Sequence, residues 1–264
     1  MYKKIALKYG VEFISATSAK RYNEISDENF NTALVAIFPY YVSGKEKSNL
    51  SKYARSLDYH KVCTDIMKKI CDEAGFENYK VFCDTGYHID RALAYEANLG
   101  FYGKNSMLIN EKYGSFFFIA YALLYEKLDF ENEKTEIKTC LNCQKCVKIC
   151  PSGAIGEDGK INIDRCLSNV TQKKGELSDE EKALVKANGY VFGCDVCQNV
   201  CPHNENLPET KISAFLQNRI ENLCLSYLEN LSNREFKEKY SDYAFSWRGK
   251  NVLIRNLKIL NEDE

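Results

Sequence analysis

The chain has 264 residues, enough to bury a real core as one large domain or two, and with 45% hydrophobic and 28% charged residues it is ordinary globular material. A formal net charge of −1 gives no global electrostatic reason to bind nucleic acid or a membrane, although a local basic patch would survive the averaging. The N-terminal segment lacks the apolar core of a signal peptide and no run of about eighteen apolar residues occurs, so no membrane partner is expected and a cytoplasmic location is.

In chain order, NTALVAIFPYYV (31–42) reads as a short apolar strand ending at Pro39. YARSLDYHKVCTDIMKKICDEAG (53–75) places apolar residues at helical spacing and closes on Gly75. YKVFCDTG (79–86) reads as a buried strand entering a turn, and HIDRALAYEANLG (88–100) as a helix ended by Gly100. SMLINEKYGSFFFIAYALLYEKL (106–128) reads as two strands around a Tyr-Gly turn. The expected fold class is α+β, with an α/β domain over residues 1–132, a cysteine-rich ferredoxin-like domain over 133–208 and a helical segment over 209–264. The charged run EKLDFENEKTEIK (126–138) marks the first boundary, and the last segment reads as mostly amphipathic helix in ISAFLQNRIENLCLSYLENLS and NREFKEKYSDYAFSWRGKNVLIRNLKIL.

In a reducing compartment the 12 cysteines, clustered in spacing, point to metal rather than disulfides. CLNCQKCVKICP carries Cys140, Cys143, Cys146 and Cys150 before a proline, the run that holds an iron–sulfur cluster in bacterial-type ferredoxins. In two-cluster ferredoxins the cysteine before the proline ligates the other cluster, so a second set is required. GCDVCQNVCP supplies Cys194, Cys197 and Cys201, and IDRCLSNV supplies Cys166. The expected ligand sets are Cys140, Cys143, Cys146 and Cys201 on one cluster and Cys150, Cys166, Cys194 and Cys197 on the other. Zinc also favours paired cysteines, but paired Cys-Pro endings suit two cubic clusters better. Cys63, Cys71, Cys83 and Cys224 lie among apolar residues and read as small buried hydrophobes.

A pair of clusters conducts electrons to a second centre, and the densest polar constellation outside the cysteines is CDTGYHIDRALAYEANLGFYGKNSMLI. Asp84 stands at a strand end before a glycine turn, where α/β folds place functional groups, although Asp before Thr-Gly is also a common turn former. Gly86, Gly100 and Gly103 permit close backbone approach of a bulky ligand, with Lys104 and Asn105 as polar contacts. His60, His88 and His203 read as local hydrogen bonders, with His88 a possible second proton carrier beside the Asp84 turn.

The ordered set YARSLDYHKV, DTGYHIDRALAYEANLGFYGKNSMLI, YGSFFFIAYALL, CLNCQKCVKICPSGAI, IDRCLSNVT and FGCDVCQNVCPHN resembles the epoxyqueuosine reductase family over about residues 30–256. The resemblance implies a nitroreductase-like, cobalamin-binding first domain, two 4Fe-4S clusters, and removal of the epoxide oxygen of epoxyqueuosine in tRNA, the last step of queuosine synthesis. It implies that Asp84 is the proton donor, its pKa raised by burial against the corrin. Arg55, Tyr59 and His60, with Lys104 and Asn105, would lie near the corrin or substrate. Ser168 and Asp195, beside Cys166 and Cys194, would touch cobalamin and bring one cluster close enough to reduce it. An electron donor such as flavodoxin or ferredoxin and a monomeric state complete the implication.

The sequence departs from the family at Tyr87, usually proline, at Ala120 and Tyr121, usually Gly-Glu, at Asn169 and Val170 within a usual Ser-Tyr-Leu-Thr, and at His203, usually tryptophan. Longer members continue into helical repeats that help hold tRNA, so a short form is expected here, with Arg248, Lys250, Arg255 and Lys258 available for phosphates or simply solvated. A cobalamin-dependent reductase acting on a small molecule, or a ferredoxin-like electron carrier, are the alternatives.

Overall fold

The strand β2 (Thr32–Pro39) is buried along its whole length because successive side chains enter two different cores. Leu34, Ala36 and Phe38 face one, and Ala33, Val35 and Ile37 the other, which explains the unbroken apolar run in the sequence. The computed structural model describes residues 1–44, 47–130 and 139–261. In it β2 pairs antiparallel with β1 (Phe13–Ser18) and with β6 (Phe117–Leu124), and β6 pairs antiparallel with β3 (Lys80–Cys83), giving the order β1-β2-β6-β3. A small ribbon joins β4 (Phe101–Tyr102) to β5 (Leu108–Ile109).

Helices cover both faces. On one side lie α1 (Tyr2–Lys8) and α3 (Tyr59–Glu73), which buries Cys63, Met67, Ile70 and Cys71 at spacings of three and four. The Asp58 carboxylate accepts the His60 N–H to cap α3, and Gly75, with φ +75°, follows its end. On the other side lie α2 (Lys20–Asn23) and α4 (Asp90–Glu96), where Leu93 and Ala94 meet Tyr121 and Leu123.

The fold corrects several sequence-based expectations. The main sheet is wholly antiparallel, and Asp84 follows the end of β3 as expected, before the turn at Gly86. β3 is an edge strand in which only Cys83 is buried. α4 stops at Glu96, and Asn98 rather than Gly100 takes the left-handed position, with φ +57°. Gly100 is needed instead for close approach, since a Cβ there would stand 2.5 Å from the Ile109 carbonyl oxygen. β5 and β6 both exist but are not partners.

The second half contains α5 (Lys145–Ile149), α6 (Leu167–Val170), α7 (Asp179–Asn188) and α8 (Val196–Asn199), short segments between cysteine loops. α7 starts with a reciprocal cap between Ser178 and Glu181 and ends at Gly189, φ +71°. The last segment forms α9 (Ser213–Leu216), α10 (Leu225–Asn230), α11 (Asn233–Tyr240) and α12 (Lys250–Asn261). Its cores cross the expected boundaries. Leu50 and Ala54 pack with Val191, Phe192, Leu228, Phe245 and Leu253, while Ile259 packs with Leu167, Val170 and Val185. The first boundary, at 132/133, lies outside the described residues. Cys63, Cys71 and Cys83 are buried, but Cys224 is exposed at the start of α10 because the expected helix is interrupted over 217–224. Among the described residues no helix is long and apolar enough to cross a membrane.

Candidate functional site

β3 delivers Asp84 to a five-residue exposed loop, 84–88, in which Asp84 (φ +52°), Gly86 (φ +85°) and His88 (φ +56°) all take left-handed backbone. For Asp84 that conformation is held from outside: its N–H donates to Oδ1 of buried Asp90, the first residue of α4, at 3.0 Å. Burial pushes the Asp90 carboxyl upward.

The Asp84 side chain is 60% exposed, which leaves it open to a ligand placed against it. The Tyr59 hydroxyl donates to its Oδ2 at 2.5 Å, and His60 Nε2 lies 3.9 Å from the same oxygen. Tyr59 is fixed by stacking on Phe118, ring centroids 4.1 Å apart, and burial followed by the Asp84 charge pushes its phenol upward. His60 Nδ1 is 2.7 Å from Asp58 Oδ1. Partial burial opposes the imidazolium, but Asp58, then Asp84 and Asp90, outweigh it and raise His60 above its ordinary value.

Tyr53, which the sequence reading passed over, joins this loop to the cysteines. Its ring lies edge-on to Tyr59 at 6.4 Å, its hydroxyl is bonded to Ser168 and accepts from Gln172 Nε2 at 3.2 Å, and the charges of Asp195, Asp84 and Cys166 all reach it. Burial is the largest influence and pushes its phenol upward. The one available signal was its position as the first letter of YARSLDYH.

The ferredoxin-like thiols gather as two fours. Burial raises Cys201, with Cys140, Cys146 and Cys143 as its thiol neighbours, and burial likewise raises Cys146 beside Cys140 and Cys143. Burial pushes Cys194 up to about 12, near Cys166 and Cys150, and Cys197 up to about 12, near Cys194, Cys166 and Cys150. Iron would displace these protons, since only thiolate ligates. Among the described residues no three His, Cys, Asp or Glu side chains close around a single ion. The first four line a small cavity of about 20 Å³ with Lys104, Asn105 and His203. It is anchored to the N-terminal half through Asn204, whose Oδ1 accepts the Ser115 N–H at 2.7 Å. Gly114, φ +56°, is required there because a Cβ would collide with Asn204.

The expected cofactor contacts therefore divide. Tyr59 and His60 attend Asp84, and Ser168 reaches the same region through Tyr53. Lys104 and Asn105 face thiols: Lys104 Nζ donates to Asn142 Oδ1 at 3.2 Å between Cys140 and Cys143, and Asn105 hydrogen-bonds Cys197. Arg55 is 7% exposed, with Nε on the Leu50 carbonyl and Nη1 on Glu221. Asp195 is fully buried, with Oδ1 accepting from Ser51 Oγ at 2.6 Å and Oδ2 from the Lys52 N–H at 2.7 Å. Asp195 thereby joins the second cysteine loop to Ser51 and Lys52, and Arg55 joins Leu50 to Glu221.

At the departures from the family pattern, Tyr121 is buried against Phe82 with its hydroxyl unpartnered among the described residues, facing Gly86. His203 packs edge-on to Phe101 at 5.1 Å. The basic residues of the last segment do not form one free face. Arg255 donates to the Lys173 and Gly175 carbonyls, Lys258 pairs with Glu229, Lys250 donates to the Leu231 carbonyl, and Arg248 stacks on Trp247.

A family model for a 4Fe-4S double cluster binding domain matches residues 139–204, and one described as epoxyqueuosine reductase QueG, DUF1730 matches residues 26–85. The epoxyqueuosine reductase of Lactococcus garvieae is 35% identical over 251 residues, covering 89% of this chain and 69% of the relative. Of two further curated relatives the chain spans 57% and 52%. The structure of epoxyqueuosine reductase from Streptococcus thermophilus superposes with a TM-score of 0.80 at 27% identity, over 98% of this chain and 79% of that one. A crystal structure of epoxyqueuosine reductase with an epoxyqueuosine-modified tRNA stem loop gives 0.79 at 25% identity, over 98% and 79%. With a double-cluster domain behind an Asp84 loop, and this identity over most of both chains, the chain belongs to the epoxyqueuosine reductase family.

Proposed function

We propose that the chain removes the epoxide oxygen of epoxyqueuosine in tRNA to give queuosine, using cobalamin and two 4Fe-4S clusters. The observation that carries this reading is the run of contacts from the exposed acid toward the second thiol set, Asp84–Tyr59–Tyr53–Gln172–Ser168, with Cys166 two residues before Ser168. The donor chemistry fits the clusters, because each four supplies only thiols. Tyr53, Tyr59, His60 and Ser168 lie between Asp84 and the second four and would hold the corrin there, and bound cobalamin would supply the reducing chemistry that side chains lack.

Converting an epoxide to an alkene breaks two C–O bonds and releases water, which takes two electrons and two protons. The Tyr59 hydroxyl occupies Asp84 Oδ2, leaving Oδ1 to hold the proton directed at the departing oxygen. His60, raised by Asp58 and 3.9 Å from that carboxylate, is the group placed to return a proton to it. Asp195 fixes the second cysteine loop against Ser51 and Lys52, and Arg55 fixes the same segment against Glu221. The reading includes a cytoplasmic monomer fed one electron at a time by a flavodoxin or ferredoxin. Its test is anaerobic turnover of epoxyqueuosine-containing tRNA by the reconstituted protein, followed by nucleoside mass spectrometry. Formation of queuosine supports it, and intact substrate in the presence of both loaded cofactors rejects it.

A further inference from the structure

The chain has a single tryptophan, Trp247, and it is 60% exposed. An exposed indole is usually mobile, yet this one is pinned. Its Nε1 donates to Gln172 Oε1 at 3.1 Å, and the Arg248 guanidinium lies 3.6 Å from the ring centroid. With one face taken by Arg248, the exposed remainder of the ring is a flat platform held from below. Gln172 in turn donates to the Tyr53 hydroxyl and to the Ser168 carbonyl. Trp247 is thus connected to the acid through Gln172, Tyr53 and Tyr59, contact by contact. None of the redox or proton-transfer roles described above needs an aromatic ring in solvent at that point.

We propose that Trp247 is a stacking platform for an unpaired base of the RNA substrate beside the nucleotide being reduced, with Arg248 beneath the ring contributing cation–π stabilisation. The inference rests on the tRNA reading and deepens it. Proteins that act on one nucleotide of a loop splay the neighbouring bases and stack them on aromatic rings and guanidinium planes, because every base has a π-face. The rigid ring costs little ordering entropy when a base arrives, since Gln172 has already fixed it.

Because Trp247 is the sole tryptophan, its emission reports this contact directly. The holoenzyme is titrated with an unmodified anticodon stem-loop RNA while anisotropy of a labelled copy of that RNA gives an independent affinity. The expected result is a change in tryptophan emission that saturates with the anisotropy. Affinity should fall roughly tenfold in Trp247→Ala, the scale of one lost base stack, and recover in part in Trp247→Phe, which keeps a π-face. Iron content matching the parent establishes that the variants are folded. RNA binding by anisotropy with unchanged emission, and unchanged affinity in Trp247→Ala, overturns the inference and leaves the tRNA reading standing. Emission that responds to corrin loading and not to RNA also overturns it, assigning the ring to the corrin. Absence of RNA binding by anisotropy overturns both.

Discussion

The hydroxyl of Tyr59 is committed to one oxygen of Asp84, 2.5 Å away, where the start of α3 and the end of β3 pack together through Tyr59, Cys63 and Cys83. A carboxyl presented this way has one oxygen fixed and one free. Asp84→Asn is expected to lower single-turnover rate by about 10²–10⁴-fold, the usual worth of a positioned proton donor, without loss of iron. Tyr59→Phe should cost less, roughly tenfold, because the acid remains and only its orientation loosens. Parent-like turnover in Asp84→Asn would remove the acid from the reaction.

The His60–Asp58 pair gives a pH signature. His60 is raised above its ordinary value of about 6.5, so the charged pair contributes stability fully below that pH and loses it as pH rises through the folded value. Asp58, lowered mainly by His60 against its own burial, keeps its part of the pair down to acid pH. Asp58→Asn retains a capping side chain for α3 but removes the charge. The stability difference between parent and Asp58→Asn should be largest near pH 6 and shrink toward pH 8 in denaturant titrations. A difference that grows with pH contradicts the pairing.

Crossed ligation makes an uneven prediction for the last cysteine of each run. Cys201→Ala should destroy the cluster of Cys140, Cys143 and Cys146 while leaving the other, so that iron falls from about eight to about four per chain. Cys150→Ala should spare that cluster and remove its partner, which Cys166, Cys194 and Cys197 hold. Paramagnetic resonance of the two variants, each retaining the signal the other lost, checks the assignment. The same signal surviving in both contradicts it.

The gathering of the thiols was legible in the chain because these cysteines sit in short loops, where spacing is geometry. Tyr53, Gln172 and Trp247 were not, since their meaning comes from contacts across 119 and 75 residues. Arg55 and Asp195 were named through the family resemblance alone; their partners, Leu50 and Glu221 for Arg55 and Ser51 and Lys52 for Asp195, come from contacts that spacing does not show. The expected helix around Cys224 failed for a tertiary reason: Asn218 takes φ +51° and the Ile220 N–H pairs with the Arg55 carbonyl instead of a helical one. β1 carries the short FISATS run at a sheet edge, and no strand was expected there.

Asp195→Ala tests the tie between the halves. It strands the Ser51 hydroxyl and the Lys52 N–H in a buried setting, a loss of about 1–3 kcal/mol. The midpoint of thermal unfolding of the reconstituted protein should fall, with the affinity for corrin reduced as Tyr53 loses its backing. An unchanged midpoint would mean that other contacts, such as the Ser51 N–H on the Phe192 carbonyl, hold the halves alone.

The central claim is that an acid at Asp84 and two clusters serve one corrin-dependent deoxygenation of epoxyqueuosine. The most direct measurement loads the chain anaerobically with iron, sulfide and cobalamin, determines iron and cobalt per chain, and follows epoxyqueuosine in tRNA under a one-electron reductant, for the parent and Asp84→Asn side by side. The account predicts about eight irons and one cobalt in both proteins, with queuosine formed by the parent alone. Full loading without queuosine from the parent, or equal turnover by Asp84→Asn, would contradict it.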